Sequence, residues 1–360
     1  MTMLDPAVAA KPSALAPGPA RFPAFVTKAD PWFRVLGLAW LTPALRLAGG
    51  DSPRSQLKDL WRLAVVPMLA IAGFLMLWAW AAPKVQTSLG AIPGPVQVWE
   101  QVGVLHADAL AEGEKEAEFY AKQAEKNAAL VTEGKANEVK DRTYTGKPTY
   151  YEQIFTSIQT VFFGFLLATL VAVPLGILSG MSPTANAAIN PLVQIFKPVS
   201  PLAWLPIVTM VVSALYVGDG SLSKSFVISA VTVTLCSLWP TLINTALGVA
   251  SIDKDLVNVG RVLKLSTWTK VTRLVLPSAL PLIFTGLRLS LGVGWMVLIA
   301  AEMLAQNPGL GKFVWDEFQN GSEQSLARIM VAVFTIGIIG FLLDRVMFAL
   351  QQAFTFSGKR

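Results

Sequence analysis

Long apolar stretches separated by short charged ones restrict the fold of this chain more than any other feature of the sequence. Each stretch is long enough to cross a bilayer, which takes about 20 mostly apolar residues. A backbone inside a bilayer has to satisfy its own hydrogen bonds, and a helix does so within one segment. The sequence therefore predicts an all-α, polytopic membrane protein. Six spans are expected, at residues 61–82, 152–180, 192–217, 225–250, 276–301 and 327–350.

The composition agrees with this prediction and excludes several other classes of protein. Charged residues make up 14% of the chain, whereas soluble domains carry about 25%. The one cysteine, Cys236, lies in an apolar stretch and the one histidine, His106, in a charged segment, so neither a disulfide framework nor a metal site is expected. The net charge of +6 comes with no recognisable nucleic-acid-binding module, and we expect no nucleic acid partner.

Lysine and arginine are distributed unevenly along the chain, and this predicts the orientation of the spans. Eight lie in residues 1–62 and five in 251–275, but the loop 302–326 has only Lys312. Short loops rich in lysine and arginine stay in the cytoplasm. With six spans, both chain termini and residues 251–275 are therefore expected in the cytoplasm, and residues 302–326 outside it.

The segments outside the spans divide the chain into regions. Residues 1–30 are rich in Ala and Pro without the order of a signal peptide, and we expect them to be disordered. The apolar residues 35–45 are too few to cross a bilayer, which favours a helix lying on the membrane. The predicted regions are a cytoplasmic tail at 1–60 with that interfacial helix, the first span at 61–82, an extracytoplasmic helical insert at 83–150, a core with five spans at 151–350, and a cytoplasmic tail at 351–360.

The insert allows two interpretations. Residues 97–147 are rich in Ala, Glu and Lys, which favours a helix. This helix either contacts a binding protein on the outer side of the membrane, or it is a solvated helix that only lengthens a loop. Its mixed charge and its few large apolar residues favour the second interpretation.

The loop between the fourth and fifth predicted spans is amphipathic. Leu256, Val259 and Leu263 lie on one face of a short helix, and Arg261 and Lys264 lie off that face. A helix of this kind lies parallel to the bilayer on its cytoplasmic side. It is able to pack its apolar stripe into a groove on a partner protein.

The same loop carries the signals for a second short helix. Ser266 is a suitable cap for its first turn. Pro277 is expected to stop or kink this helix before the fifth span begins, because proline lacks the backbone N–H that continues a helix.

This loop resembles the cytoplasmic coupling loop of ABC-importer permeases. The family pattern is Glu-Ala-Ala, three further residues, a Gly, and a Leu-Pro pair further on. Asn258, Val259 and Gly260 stand at the first three positions, Lys264 stands at the Gly, and Leu276-Pro277 is the final pair. The Glu, the first Ala and the Gly of the pattern are therefore replaced in this chain.

These replacements are similar to the nitrate/cyanate-type branch of the family, which is close to the taurine and alkanesulfonate permeases. Asn258–Ser266 carries the similarity, together with further blocks in the second half of the chain. The resemblance covers residues 150–350 but neither the first 60 residues nor 97–147. The further blocks are Pro198–Pro206, Phe284–Gly292, Trp295–Leu304, Gly309–Gly311 and Trp315-Asp316.

The resemblance implies the fold of type I ABC-importer permeases and a set of partners. A second permease copy, identical or similar, completes one pathway in the bacterial inner membrane, surrounded by membrane lipid. Two cytoplasmic ATPase subunits bind ATP and magnesium, a periplasmic binding protein delivers the substrate, and transport proceeds by alternating access. The residues expected to couple to the ATPases are Asn258, Val259, Gly260, Arg261, Leu263, Lys264, Leu265, Ser266 and Pro277.

The chain itself is then not an enzyme and holds no cofactor. Its nearest match to a phosphate-binding loop is Gly218–Ser225. Ser223 stands where the second glycine of that motif should be, and the segment lies on the predicted outer side.

Polar and aromatic residues within the predicted spans are candidates for the translocation pathway. Ionisable residues there are costly and tend to face a cavity or a partner. Lys197 also reaches the headgroups by extending its side chain, and Arg288 also suits an internal pair with a carboxylate. Glu302, at the outer end of the fifth span, is a candidate contact of the binding protein or an ordinary helix-end charge. The three tryptophans among the candidates also suit packing or anchoring at the membrane interface. The pathway candidates are Lys197, Ser200, Trp204, Trp239, Arg288 and Trp295.

For the substrate, the resemblance favours a small oxyanion, with nitrate first. Bicarbonate, cyanate, taurine and alkanesulfonates are the alternatives within the same importer class. A secondary transporter is a further alternative, although the spans show neither an internal repeat nor acidic relay residues. A structural membrane protein would leave the coupling loop unexplained. The anion is not identified, because selectivity in such importers lies mainly in the binding protein, which is a separate chain.

Overall fold

The computed structural model describes Val26, Asp30, Phe33 and residues 37–49, 52–87, 90–135, 137, 139–216 and 222–356. In these residues the strand structure is one short hairpin of β1 (Gln86–Thr87) and β2 (Gly90–Ala91). The predicted all-α class is confirmed. The helices are α1 (Leu41–Ala48), α2 (Pro53–Lys84), α3 (Pro95–Thr132), α4 (Tyr150–Met181), α5 (Pro183–Phe196), α6 (Pro201–Leu215), α7 (Lys224–Ala250), α8 (Lys254–Val262), α9 (Thr267–Ala305), α10 (Leu310–Asn320) and α11 (Glu323–Phe356).

Five helices in the described part of the chain are long and apolar enough to cross a membrane: α2, α4, α7, α9 and α11. The pair of α5 and α6 is a sixth if it counts as one span, but the two helices meet at 103°. The predicted third span, 192–217, is therefore not one helix. Its break lies at residues 197–200, where Pro198 has no N–H to continue α5. The Ser200 hydroxyl then begins α6 by accepting a hydrogen bond from the Leu202 amide (3.3 Å).

The chain divides into two compact units, Met1–Gly73 and Phe74–Arg360, and the boundary falls inside α2. In the first unit, α1 begins and ends later than the interfacial helix predicted at 35–45. The first span begins earlier than the predicted residue 61, since the helix already starts at Pro53. Most of the predicted disordered tail lies outside the described residues.

In the second unit, α7 packs between α4 and α9. Small residues let the helices approach closely, because a Cβ added to Gly164 of α4 would lie 2.7 Å from the Ala230 carbonyl oxygen of α7. A Cβ added to Gly286 of α9 would lie 3.0 Å from the Pro240 carbonyl oxygen, which also belongs to α7. The buried core beside these contacts is formed by Val161, Val233, Leu291, Trp295, Leu298 and Leu310.

The packing also shows which helix ends lie together. Gly164 of α4 packs on the first half of α7 and Gly180 packs on its second half, so these helices run in the same direction. Gly248, near the end of α7, packs on Ala279 in the first half of α9, which runs the opposite way. The ends of α4 and α7 therefore lie beside α8, at what we call the coupling end. The start of α4 and the end of α9 lie beside α3 and α10, at the insert end.

Candidate functional site

At the coupling end, α8 presents an exposed apolar surface. Asp253 caps its start, since the carboxylate accepts a hydrogen bond from the Asp255 amide (2.9 Å). Val259, Val262 and Leu263 are all exposed, and Val262 is 81% exposed. Clustered apolar side chains outside the spans are typical of a surface that a partner covers. The amphipathic helix predicted here is therefore observed.

The turn after α8 explains why the resembled pattern has a glycine at this position. Lys264 has a φ of 48°, in the left-handed region. Its amide donates to Arg261 O (3.0 Å) and the Leu265 amide donates to Gly260 O (3.1 Å). These two bonds form a Schellman cap, in which glycine commonly takes the left-handed position. Lys264 thus holds a backbone conformation that a glycine adopts with less strain.

The start of α9 differs from the prediction. Ser266 caps it as expected, because its hydroxyl oxygen accepts a hydrogen bond from the Thr269 amide (3.2 Å). Pro277 does not end the helix, because a π turn at Val271–Val275 comes first and accommodates the missing proline N–H. Trp268, which is 76% exposed, was not among the predicted residues. The signal that identifies it is a lone aromatic residue in a charged loop.

Four of the predicted coupling residues fall into two groups. Val259 and Leu263 lie on the exposed apolar surface. Asn258 and Arg261 line a cavity of about 370 Å³ between α8 and the ends of α4 and α7, and Lys270 lines the same cavity. The coupling role of both groups stays a prediction.

At the break between α5 and α6, the Phe196 ring packs against two of the predicted pathway residues, Trp204 and Trp239. Lys197 lies in the break and is exposed, and its place in the pathway stays a prediction. The Phe196 ring centroid lies 5.6 Å from that of Trp204 and 6.2 Å from that of Trp239. The indole nitrogens of both tryptophans are buried without a hydrogen-bond partner among the described residues. Unpaired buried donors are costly, so an acceptor that visits this site would relieve them.

Arg288 of α9 pairs with Asp344 of α11. The guanidinium Nε and Nη2 donate to the two carboxylate oxygens, and the Nη2 bond is 2.8 Å long. A bidentate pair of this kind reduces the cost of placing both charges at membrane depth. The internal pairing that the sequence allowed for Arg288 is observed, and its place in the pathway stays a prediction.

Trp295 was a candidate for the pathway or for packing, and the structure shows it packed between two helices. Only 6% of its surface is exposed. Its indole N–H donates to the Ile336 carbonyl oxygen (3.0 Å), and a Cβ added to Gly340 would lie 3.0 Å from its ring. Trp295 therefore holds α11 against α9, and a role in the pathway stays a prediction.

Glu302 was a candidate contact of a binding protein or an ordinary helix-end charge, and the structure buries it. Its side chain has no exposed surface. The Ser157 hydroxyl oxygen lies 2.9 Å and 2.8 Å from its two carboxyl oxygens, and the Gly311 amide donates to Oε2 (3.0 Å). Hydropathy places Glu302 at the end of a span but does not indicate that α10 covers it.

The insert is a long helix bound by its own return segment. Residues 139–149 run back along α3, where the Tyr144 hydroxyl donates to Glu112 Oε1 (2.8 Å) and the Tyr144 amide donates to the Tyr120 hydroxyl oxygen (3.2 Å). The hydrogen bond from Tyr144 and that from the Lys115 ammonium hold the pKa of Glu112 below its usual range. The predicted helix is observed, whereas contact with a binding protein stays a prediction.

Comparison with known proteins decides the family. The family model described as "Binding-protein-dependent transport system inner membrane component" matches residues 172–356, from the second half of α4 to the end of α11. This chain belongs to that family. It is therefore the permease subunit of an ABC importer, as the sequence predicted, and an inner membrane component. Membership implies ATPase and substrate-binding partners and a pair of permeases.

The relatives of this permease are named for different anions. The nitrate import permease protein NrtB of Synechococcus elongatus is 38% identical over 195 residues, which are 54% of this chain and 66% of that protein. The bicarbonate transport system permease protein CmpB of the same species is 32% identical over 296 residues, which are 80% of this chain and 88% of that protein. A solved inward-facing structure of the methionine ABC transporter MetNI covers 57% of this chain and 96% of its own, with a TM-score of 0.49 and 16% identity.

Proposed function

We propose that this permease carries a small oxyanion and that nitrate is the first candidate. The observation that carries the proposal is the 38% identity to a nitrate import permease protein. A second such protein, from Leptolyngbya laminosa, is also 38% identical, over 207 residues. The resemblance of Asn258–Ser266 to the nitrate/cyanate-type branch agrees with this choice.

Bicarbonate is the second candidate. The bicarbonate relative aligns with 80% of this chain, against 54% for the nitrate relative from the same species. Both anions carry one charge and present oxygen acceptors in a plane, so similar N–H and cationic donors suit both. Selection between them then depends on the binding protein more than on this chain.

ATP hydrolysis would act at the coupling end. We place a separate ATPase subunit on α8 of each permease, because Val259, Val262 and Leu263 are exposed there. The basic residues of 251–275 support a cytoplasmic position for this end. Both chain termini then lie in the cytoplasm as well. ATP and magnesium belong to the ATPases. The binding protein then delivers the anion at the insert end, and the spans alternate between outward-open and inward-open states.

The aromatic cluster at the α5–α6 break is our candidate contact for the anion in transit. Trp204 and Trp239 offer two buried N–H donors without a partner in the described part of the chain. Lys197 lies next to Phe196 of this cluster and supplies a positive charge. An oxyanion accepts hydrogen bonds from such donors and gains from the charge.

Reconstitution tests the importer class. The chain is placed in liposomes with its partner ATPase and binding protein, and nitrate and bicarbonate uptake are measured with and without ATP. We expect uptake only with all components and ATP. Uptake by the chain alone without ATP would show a secondary transporter instead.

The affinity of the partner binding protein tests the substrate. Titration calorimetry with nitrate, bicarbonate and taurine ranks the ligands directly. Tighter binding of nitrate supports the first candidate, and tighter binding of bicarbonate supports the second. A clear preference for taurine or another sulfonate would exclude the oxyanion proposal while leaving the importer class intact.

A further inference from the structure

Glu302 is a buried carboxyl group at the insert end of α9, and it makes no ion pair among the residues that the structure describes. Its acceptor oxygens are used by Ser157 of α4 and by the amide of Gly311, at 2.8–3.0 Å, and by the Asn307 side-chain amide at 3.5 Å. An apolar side chain of the same volume would be less costly at a site that needed only packing. The hydrogen bonds are therefore what this position supplies.

These bonds attach the start of α10 to two spans. Gly309, the N-cap of α10, has no side chain to accept from the first amides of the helix. The Leu310 amide donates instead to the Ser157 hydroxyl oxygen (2.9 Å), and the next amide donates to the buried carboxyl group. Glycine is needed for this approach, since a Cβ on Gly309 would lie 2.2 Å from the carboxyl oxygen and one on Gly311 would lie 2.2 Å from Ile299 O.

The other end of α10 is held by a second buried carboxylate. Glu317 is 5% exposed, accepts a hydrogen bond from the Ser325 hydroxyl (2.7 Å) and faces Arg328 of α11 (3.4 Å). Arg328 also pairs with Asp108 of α3 (3.2 Å). Directly after the second attachment, the Phe318 side chain on α10 is 59% exposed. A force on α10 or α3 is therefore carried to fixed points on α4, α9 and α11.

We propose that Glu302 is a positioning residue that transmits docking at the insert end to the spans. It holds α10 on the ends of α4 and α9, so that a binding protein pressing on α10 moves these two spans together. The inference rests on the proposed function, because it takes the load to be the binding protein. Glu302 itself touches neither that protein nor the anion.

Variants of Glu302 test this role in the reconstituted importer with its ATPase and binding protein. Glu302→Gln keeps an oxygen for the Gly311 amide, whereas Glu302→Leu fills the space and removes both acceptors. Gln306→Asn is the matched control, because the Gln306 side chain is exposed, bonds only to the nearby Met303 O and leaves α10 untouched. The assay measures ATPase activity with and without binding protein, and hydrogen exchange at the first amides of α10.

We expect Glu302→Leu to keep its basal ATPase activity but to lose stimulation by the binding protein about tenfold, the factor that corresponds to the net contribution of about one hydrogen bond. The first amides of α10 should then exchange faster. Glu302→Gln should stay within about threefold of the parent, since it keeps one acceptor. The Gln306→Asn control should match the parent in every measurement.

Two results would overturn the proposal. One is normal stimulation in Glu302→Leu. The other is a parallel fall of basal and stimulated activity that follows the amount of assembled importer, which indicates a structural role alone. If Glu302→Leu does not assemble, Ser157→Ala removes one partner and keeps the carboxyl group, and the same separation of basal from stimulated activity is expected. A parent importer that the binding protein never stimulates would instead contradict the proposed function.

Discussion

Replacing Gly164 with alanine tests the close packing of α4 on α7. The added Cβ would lie 2.7 Å from Ala230 O, 2.8 Å from Val233 Cγ1 and 2.9 Å from Val233 Cβ. Non-bonded carbon atoms are most stable at about 3.5–4.0 Å, so the two helices would have to separate by several tenths of an ångström. Overpacking of this kind costs about 1–3 kcal/mol, or roughly 5- to 150-fold in the ratio of folded to unfolded protein.

Gly292 is the matched control, because a Cβ added there meets nothing within 4 Å. Alanine at this exposed position of α9 should be neutral or stabilising by up to about 1 kcal/mol, the difference in helix propensity. Thermal and denaturant unfolding of both purified variants in one detergent measure the free energies. Unchanged stability of Gly164→Ala would refute the close approach of the helices. An equal loss in Gly292→Ala would show that the contact with α7 is not the cause.

Three further predictions concern the coupling loop and the insert. Lys264→Gly should raise the free energy of unfolding by about 0.5–1 kcal/mol, because glycine adopts the left-handed φ of 48° without strain; unfolding measurements check this, and a loss of stability would contradict the cap. Val262→Asp should weaken ATPase binding about tenfold without changing thermal stability, since the side chain is 81% exposed; co-purification and melting curves separate the two effects. Hydrogen bonds from Tyr144 and Lys115 lower the pKa of Glu112 in the folded insert. The stability that they add is therefore present above the ordinary glutamate pKa, and it is lost as the pH falls through the lowered pKa. Limited proteolysis of the insert should therefore speed up only on strong acidification, and this dependence should be weaker in Glu112→Gln; loosening near neutral pH would contradict it.

Local signals predicted the elements of the coupling loop well. The stripe of Leu256, Val259 and Leu263 predicted a helix where α8 is observed, and Ser266 caps the next helix as expected. Caps and stripes depend on residues a few positions apart, so a single sequence carries them. Pro277 does not stop the helix, because the π turn Val271–Val275 within α9 accommodates the missing N–H, and such turns leave no clear sequence pattern.

Residues that depend on distant partners were predicted poorly. Trp295 and Glu302 both lie in an apolar stretch, and the sequence left an exposed role open for each without indicating its contacts. In the structure, Trp295 bonds to a residue 41 positions away, and Glu302 bonds to Ser157, 145 positions away. For Arg288, the sequence left a carboxylate pair and a pathway role equally open, and only the structure brought Asp344 beside it.

The sequence by itself determined the membrane class, the approximate positions of the spans, the coupling helix and the family. These follow from hydropathy, charge and short patterns, which measure how each segment partitions between water and an apolar phase. The tertiary structure alone decided the 103° break in the third span, the burial of Glu302 beneath α10 and the faces that α7 shares with α4 and α9. The physical reason is that lipid and protein interior are both apolar, so hydropathy does not distinguish a side chain that faces a neighbouring helix from one that faces the bilayer.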